Sequence, residues 1–145
     1  RWNSGDDLYE RALNMIGVAV GAYPNSYLSE ADVIYSLFSI GEKQAQAGWT
    51  QSQQAVAMDA MIAAFRVRFP TMRFIFGSMD PQYVAAQGGA WVTVQAALAA
   101  TPTRVWGTAY ANAGASLGQA GDVHYTGPEN STFGGVKYLA AFETL

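Results

Sequence analysis

The sequence predicts an α/β fold in which helices alternate with the strands of a parallel sheet. Short apolar runs rich in β-branched and aromatic residues recur along the chain, and stretches with apolar residues at helical spacing separate them. Strands that alternate with helices pair in parallel through right-handed crossovers, which predicts a three-layer α/β/α sandwich. A length of 145 residues fits one domain, residues 1–145.

The first half of the chain predicts a helix, a strand and a second helix. Ser4 and Asp7 mark the start of the first helix. Its apolar face is predicted to hold Leu8, Ala12, Met15, Ile16 and Ala19. Residues 32–38 form a short apolar run that is typical of a buried strand. Thr50 and Gln53 predict a capping box for the second helix. The inward positions of that helix are predicted to be Val56, Met58, Met61, Ile62 and Phe65.

The second half predicts two more strands and two more helices. Residues 72–79 and 104–108 are the predicted strands, and residues 90–100 are the helix between them. Residues 112–132, rich in Gly, Ser and Asn, predict a long loop. Residues 133–142 then predict a closing helix. Its inward side chains are predicted to be Val136, Leu139, Ala140 and Phe142.

Composition narrows the classes of function. Half of the residues are hydrophobic, which argues against a disordered chain. A net charge of −3 without a run of Lys or Arg predicts no binding to nucleic acid or to an anionic membrane. The absence of cysteine excludes disulfides and Cys-based metal sites. No apolar run is long enough to predict a membrane span.

Three strands covered on both faces make a small sheet, and the chain does not begin with Met. Both observations suggest a partial or processed chain. We therefore expect the sheet edge beside residues 32–38 to be unpaired, or to be completed by residues outside this sequence. An open apolar edge predicts poor solubility or self-association of the isolated chain.

Two loops that follow predicted strands carry residues suited to chemistry. Gly41, Glu42 and Lys43 follow the first strand, and Asp122 and His124 precede the closing helix. The carboxyl ends of parallel strands meet at one edge of a sheet, so we expect His124 within a few ångströms of the Gly41–Glu42 turn. A carboxylate two residues from a histidine orients the imidazole and stabilises its protonated form.

Each of these features also has a plain structural interpretation. An Asp-x-His in a polar loop is more often a surface feature, and Gly41-Glu42 after a strand is more often a simple turn. The tryptophans are expected mostly in the core or at its rim, although exposed aromatic rings also stack on sugars. A metal site at His124 is not favoured, because the chain has no second histidine.

The order of these motifs carries a family resemblance. Residues 40–44 (Ile-Gly-Glu-Lys-Gln) follow the first predicted strand, and residues 122–124 (Asp-Val-His) precede a closing helix with a Gly pair at 134–135. From about residue 7 to residue 142, the chain resembles the SGNH (GDSL-like) hydrolase superfamily. The resemblance is to its carbohydrate O-acetylesterase branch, which includes sialate O-acetylesterase-like and acetylxylan esterase-like proteins.

The resemblance implies a flavodoxin-like SGNH fold and a serine esterase that removes acetyl groups from a glycan or polysaccharide. By resemblance, His124 is the general base and Asp122 holds its tautomer, while Gly41, Glu42 and Lys43 line the acyl and oxyanion region. No cofactor or metal is implied. The family's serine block and first strand do not occur here. The chain would then be the C-terminal two thirds of the domain, with an N-terminal segment or another chain completing the sheet.

Two alternative functions remain open. Lys43 stands where the wider family has an oxyanion-hole Asn, and Gln44 stands where it has Asp or Asn. These departures from the family pattern favour the first alternative, a catalytically inactive carbohydrate-binding relative. The second alternative is a purely structural module. For the esterase, the expected partner is an acetylated glycan, and the expected location is extracellular or virion-associated.

Overall fold

The computed structural model describes residues 7–22, 34–115, 117–119, 121–122 and 124–145. Helices and strands alternate along much of this part of the chain. In order, the elements are α1 (Asp7–Ala22), β1 (Tyr35–Ser39), α2 (Glu42–Gln46), α3 (Gln51–Arg68), β2 (Arg73–Gly77), α4 (Pro81–Gln87), α5 (Gly89–Ala99), α6 (Thr101–Arg104), β3 (Thr108–Ala111), α7 (Gly127–Thr132), a π-helical segment (Phe133–Lys137) and α8 (Tyr138–Phe142).

The described strands form one parallel sheet in the order β1-β2-β3. Ile75 in the central strand pairs with Leu37 on one side and with Ala109 on the other. Phe74, Ile75 and Phe76 are each 0% exposed, because helices cover both faces of β2. This double burial explains the unbroken apolar run of the strand. The predicted α/β class with neighbouring parallel strands is confirmed.

One face of the sheet carries an aromatic core. Phe38, Phe74 and Phe76 stack along it, and Phe65 of α3 packs edge-on against Phe38 and Phe74. Tyr9 of α1 packs edge-on against Phe65 and donates a hydrogen bond to the backbone oxygen of Ala64 at 2.8 Å. Helix α1 is thereby joined to α3 by both an apolar and a polar contact.

The opposite face is covered by the end of the chain. Its buried cluster consists of Ile75, Ala109, Ala111, Ala113, Phe133 and Ala141. Tyr138 packs directly over Gly77, where an added Cβ would collide with the tyrosine hydroxyl and would lie 2.9 Å from the Phe133 ring. Gly77 is therefore needed for this helix to approach the sheet so closely.

The third strand lies further along the chain than predicted. Residues 104–108 are not a strand: Arg104 ends the short helix α6, and β3 begins at Thr108. Pro102 favours a helical first turn. Arg104 holds that turn by pairing with Asp59 of α3 at 3.1 Å and by donating to the backbone oxygen of Ala97. The apolar residues of this stretch therefore connect α6 to β3 and are not part of a strand.

The closing helix is rotated relative to its prediction. Val136, Leu139 and Phe142 are 58%, 55% and 43% exposed, and Ala140 is exposed as well. The side chains that face the sheet are Phe133, Tyr138 and Ala141. The cause is the π-helical segment at the start, because a wider turn shifts the phase of every later position. The predicted inward face of this helix is wrong.

Smaller differences concern faces and loops. Met15 and Val56, both predicted to face inward, are 70% and 67% exposed, and Leu8 and Ala19 are also exposed. The segments between the predicted elements contain the short helices α2, α4 and α7. Helix α4 begins at Asp80, which accepts hydrogen bonds from its first turn. The predicted cap at Ser4 and the first residues of the predicted strand 32–38 lie outside the described residues.

The outer edge of β1 has no partner strand among the described residues. Leu37 on this edge strand is 62% exposed. Tyr35 is 40% exposed and packs against the ring of Phe142 at 4.6 Å between centroids.

Candidate functional site

The carboxyl ends of the three strands form one rim of the sheet. Ser39 ends β1, Ser78 follows β2, and Asn112 follows β3. The backbone N–H of Ser78 donates to the oxygen of Ala111 at 3.0 Å, so the β2 and β3 ends stay paired up to the rim. Ligand sites of open parallel sheets form at this end.

Gly41 turns the chain sharply after β1. Its φ of 125° lies in the region that favours glycine, and an added Cβ would lie 3.1 Å from Val94 and 3.2 Å from the sulfur of Met79. The turn then leads into α2, whose first residues are Glu42, which is half-buried, and Lys43, which is exposed. The ammonium of Lys43 donates to the side-chain oxygen of Gln46 at 3.1 Å.

A cavity of about 600 Å³ lies beside this turn. Its walls come from the end of β1, from α2 and from the inner side of α3. The lining residues are Ser39, Ile40, Gly41, Glu42, Lys43, Gln44, Trp49, Gln54, Ala57, Met58 and Met61. The structure thus brings Gly41, Glu42 and Lys43, the residues predicted for the acyl end of a site, to the wall of one cavity.

Gln54 is a polar side chain that the sequence reasoning missed. It is 2% exposed, and its Oε1 has no hydrogen-bond partner in the part of the chain that the structure describes. Gln54 lies one turn before Met58 on α3 and shares its inward face. A glutamine at an inward position of an amphipathic helix was the signal that could have identified it.

Asp80 is the buried carboxylate at the end of β2. It is 1% exposed, and its Oδ1 accepts hydrogen bonds from the N–H groups of Gln82 and Tyr83, each at 2.9 Å. Its Oδ2 accepts from the N–H of Gln119 at 2.8 Å, and Gly118 packs so close to the carboxylate that a Cβ would collide with it. Asp80 therefore fixes the loop after β3 to the end of β2.

A second anchor of that loop is Tyr125. Its hydroxyl donates to the backbone oxygen of Met79 at 3.0 Å and lies 3.3 Å from the Oγ of Ser78. Ser78 is 0% exposed, and its Oγ accepts from the N–H of Ala113 at 3.1 Å. Burial raises the pKa of Tyr125 from its ordinary value of 10.0 to about 12, so this donor stays protonated to a more alkaline pH.

Glu129 closes the loop from the side of α7. Its carboxylate accepts from the N–H of Gly118 at 2.9 Å and from the N–H and hydroxyl of Thr126 at 2.8 and 2.6 Å. These hydrogen bonds hold the pKa of Glu129 below its usual range. The segment that carries Asp122 and His124 is thus anchored both before and after the pair.

Asp122 and His124 form a local hydrogen-bonded pair. Asp122 Oδ1 accepts from the backbone N–H of His124 at 3.0 Å and lies 3.1 Å from its Nδ1. The two side chains are 55% and 76% exposed. With Nδ1 held by the carboxylate, Nε2 is the nitrogen suited to accept a proton from a reacting group.

Met79 connects the two halves of the candidate site. Its backbone oxygen accepts from Tyr125, the residue after His124, and its sulfur packs against Gly41. Met79 thus contacts both the Gly41 turn and Tyr125, the residue that follows His124 in the chain. The closer contact expected between His124 and the Gly41–Glu42 turn stays a prediction.

Comparison with protein-family models, with curated proteins and with solved structures found no match. Within the described ranges, no group of three or more His, Asp and Glu side chains lies close enough to hold a metal ion. None of the helices in those ranges is long and apolar enough to cross a membrane.

Proposed function

We propose that this chain is part of an SGNH-like carbohydrate O-acetylesterase domain with a flavodoxin-like, three-layer sandwich. The observation that carries the proposal is the Asp122–His124 pair, on a loop whose next residue, Tyr125, donates a hydrogen bond to Met79 beyond the end of β2. A carboxylate on Nδ1 of an accessible imidazole is the acid–base half of a hydrolytic triad. The resemblance in motif order supplies the rest of the assignment.

In this proposal, His124 removes the proton from a serine hydroxyl as the serine attacks the acetyl carbonyl carbon. The tetrahedral intermediate then collapses, and His124 returns the proton to the departing sugar oxygen. Water repeats the sequence on the acetyl-serine and releases acetate. Asp122 keeps the proton of His124 on Nδ1 and stabilises the imidazolium. Gly41, Glu42 and Lys43 line the acyl end. This chemistry requires neither cofactor nor metal.

The outer edge of β1 supports a serine supplied from outside the sequence. A parallel strand added beside β1 would pair with the backbone edge of β1 that has no partner among the described residues, and it would end next to Ser39 and Gly41. The strand would come from an N-terminal segment of a longer chain or from another chain. An acetylated glycan is the proposed substrate, and an extracellular or virion-associated location follows from that substrate class.

A glycan-binding protein without activity is the second candidate. The observation that favours it is the 600 Å³ cavity with its aromatic wall at Trp49, next to a lysine where the family has an oxyanion-hole amide. Lys43 is an exposed, flexible cation and a poor replacement for a fixed amide donor.

A serine-directed fluorophosphonate probe distinguishes the two candidates. The esterase predicts that the full-length protein containing this sequence hydrolyses p-nitrophenyl acetate and acetylated xylan. It also predicts that the probe labels one serine outside these 145 residues. Labelling of Ser39 would assign the nucleophile to this chain instead, and Ser39→Ala is the matched variant for that outcome. Glycan binding without turnover or labelling would establish the inactive relative.

A further inference from the structure

We propose that the cavity beside the Gly41–Lys43 turn receives the acyl group of the ester and admits acyl groups longer than acetyl. This inference rests on the proposed function, in which the same turn lines the acyl end. The cavity has a volume of about 600 Å³. An acetyl group has three heavy atoms and would fill only roughly 100 Å³, at about 30 Å³ for each water-sized group. It would therefore leave most of the cavity unfilled.

The side of the cavity formed by α3 and Trp49 is apolar. Trp49 and Ala57 are partly exposed, so a ligand in the cavity can touch them. Met58 and Met61 also line this side and are almost completely buried. Gln54, the polar residue that α3 adds to the lining, is 2% exposed, and its Oε1 is inaccessible. The α3 side thus offers a ligand apolar surface and almost no accessible polar side-chain atoms.

Trp49 is a fixed part of this apolar side. Its backbone oxygen accepts a hydrogen bond from the hydroxyl of Thr93 at 3.2 Å, and its side chain packs against the buried cluster that contains Met79 and Trp91. A side chain that is already held in place loses little freedom when a ligand covers it. Each methylene group buried against this side is therefore expected to raise binding about fourfold.

The polar and charged lining residues come from the end of β1 and from α2. Ser39 and Lys43 are exposed there, and Glu42 is partly exposed. An ester group carries hydrogen-bond acceptors and matches these residues, whereas the carbon chain of an acyl group matches the α3 side. A sugar ring matches the α3 side poorly, because its hydroxyl groups would lose water there without gaining hydrogen-bond partners. The acyl chain therefore points from the turn toward Trp49 and Ala57.

The test is the acyl-chain dependence of hydrolysis by the full-length protein that contains this sequence. The substrates are the p-nitrophenyl esters of acetate, butanoate and hexanoate, and each kcat/KM is normalised to the rate of hydrolysis of that ester by hydroxide. From acetate to butanoate, the normalised kcat/KM should rise about tenfold, because two more methylene groups are buried against Trp49 and Ala57. The hexanoate ester should be hydrolysed at least as well as the acetate.

Ala57→Leu is the variant that shortens the cavity. Its larger side chain occupies the space of the added methylene groups, so the ratio of butanoate to acetate kcat/KM should fall about tenfold. Ala60→Leu is the matched control, because Ala60 is exposed on α3 and is not among the residues that line the cavity. Its ratio should equal that of the wild type. Circular dichroism checks that both variants are folded, and the wild-type series tests the inference without either of them.

A wild-type kcat/KM that is highest for acetate and falls with chain length would overturn the inference and leave the proposed esterase standing. An unchanged ratio in Ala57→Leu, or an equal fall in Ala57→Leu and Ala60→Leu, would also overturn the inference alone. An absence of hydrolysis across the whole series and with acetylated xylan would overturn the proposed function, and the inference with it.

Discussion

Tyr125 donates its hydroxyl proton to the backbone oxygen of Met79 across 3.0 Å. Met79 lies just beyond β2, and its sulfur packs against Gly41 at the end of β1. A single tyrosine therefore joins the loop that carries His124 to the end of β2, beside the Gly41 turn. This contact therefore helps to hold the loop on which the Asp122–His124 pair lies.

Three half-buried tyrosines predict a loss of stability at alkaline pH. Burial raises the pKa of Tyr110, Tyr125 and Tyr138 to about 12, above the unfolded value of 10.0. The folded state therefore holds these protons more tightly than the unfolded state. Their contribution is fully present below pH 10 and is lost as the pH rises from about 10 to about 12. Urea unfolding followed by circular dichroism should show a midpoint that falls across this range.

Tyr125→Phe is the matched variant for that experiment. It removes one of the three titrating groups, so its midpoint should fall less steeply between pH 10 and 12 than that of the wild type. At pH 8 the variant should be less stable by about 1 kcal/mol, because the hydrogen bond to Met79 is gone. A wild-type midpoint that stays constant up to pH 12 would contradict the prediction.

Asp80→Asn should destabilise the fold by about 1–3 kcal/mol. The buried carboxylate accepts from the N–H groups of Gln82, Tyr83 and Gln119 through both of its oxygens. An amide offers one oxygen and turns an NH₂ group toward the remaining donors. Asp59→Asn is the control, since Asp59 pairs with Arg104 at the surface and should contribute about 0–1 kcal/mol. Chemical denaturation measures both, and equal effects would refute the special role of Asp80.

The sequence was sufficient for the parts of the fold that packing determines locally. Residues 73–77 could be assigned because a strand buried on both faces is apolar at nearly every position. Residues 104–108 could not be assigned correctly. The apolar residues around Val105 suit a strand by composition, whereas Pro102 and the Arg104–Asp59 pair stabilise the short helix α6 that ends at Arg104. That pair joins residues far apart in sequence, and sequence periodicity does not report such contacts.

The residues of the candidate site that have a local sequence signature could also be predicted, and those that depend on packing could not. Gly41 and the Asp122–His124 pair have local signatures, namely a glycine after a strand and a carboxylate two residues before a histidine. Gln54 acquires its meaning only when α3 packs beside the Gly41 turn and encloses a cavity. The closing helix shows the same limit, because a π-helical turn at Phe133–Lys137 shifts the face that helical spacing predicts.

Gly77→Ala should destabilise the fold by roughly 1–3 kcal/mol through overpacking. A Cβ at this position would collide with the hydroxyl of Tyr138, which donates to the oxygen of Phe38 at 3.0 Å, and would crowd the ring of Phe133. Gly17→Ala is the control in open space on α1, where alanine should stabilise the helix by about 0.5–1 kcal/mol. Thermal unfolding compares the two variants, and a neutral Gly77→Ala would show that the closing helix does not pack tightly here.

The exchange of His124 for alanine tests the proposed catalytic pair most directly. In the full-length protein, His124→Ala should lower kcat for acetyl-ester hydrolysis by several orders of magnitude, because base and nucleophile act as a unit. Asp122→Asn should also lower kcat, though less, since an amide leaves the imidazole in place but no longer stabilises its charged form. The His124 side chain is 76% exposed, so His124→Ala should not move the Tm appreciably. Asp59→Asn, remote from the rim, is the matched control and should leave kcat unchanged. Full esterase activity in His124→Ala would show that the Asp122–His124 pair is a surface turn and that the base lies elsewhere.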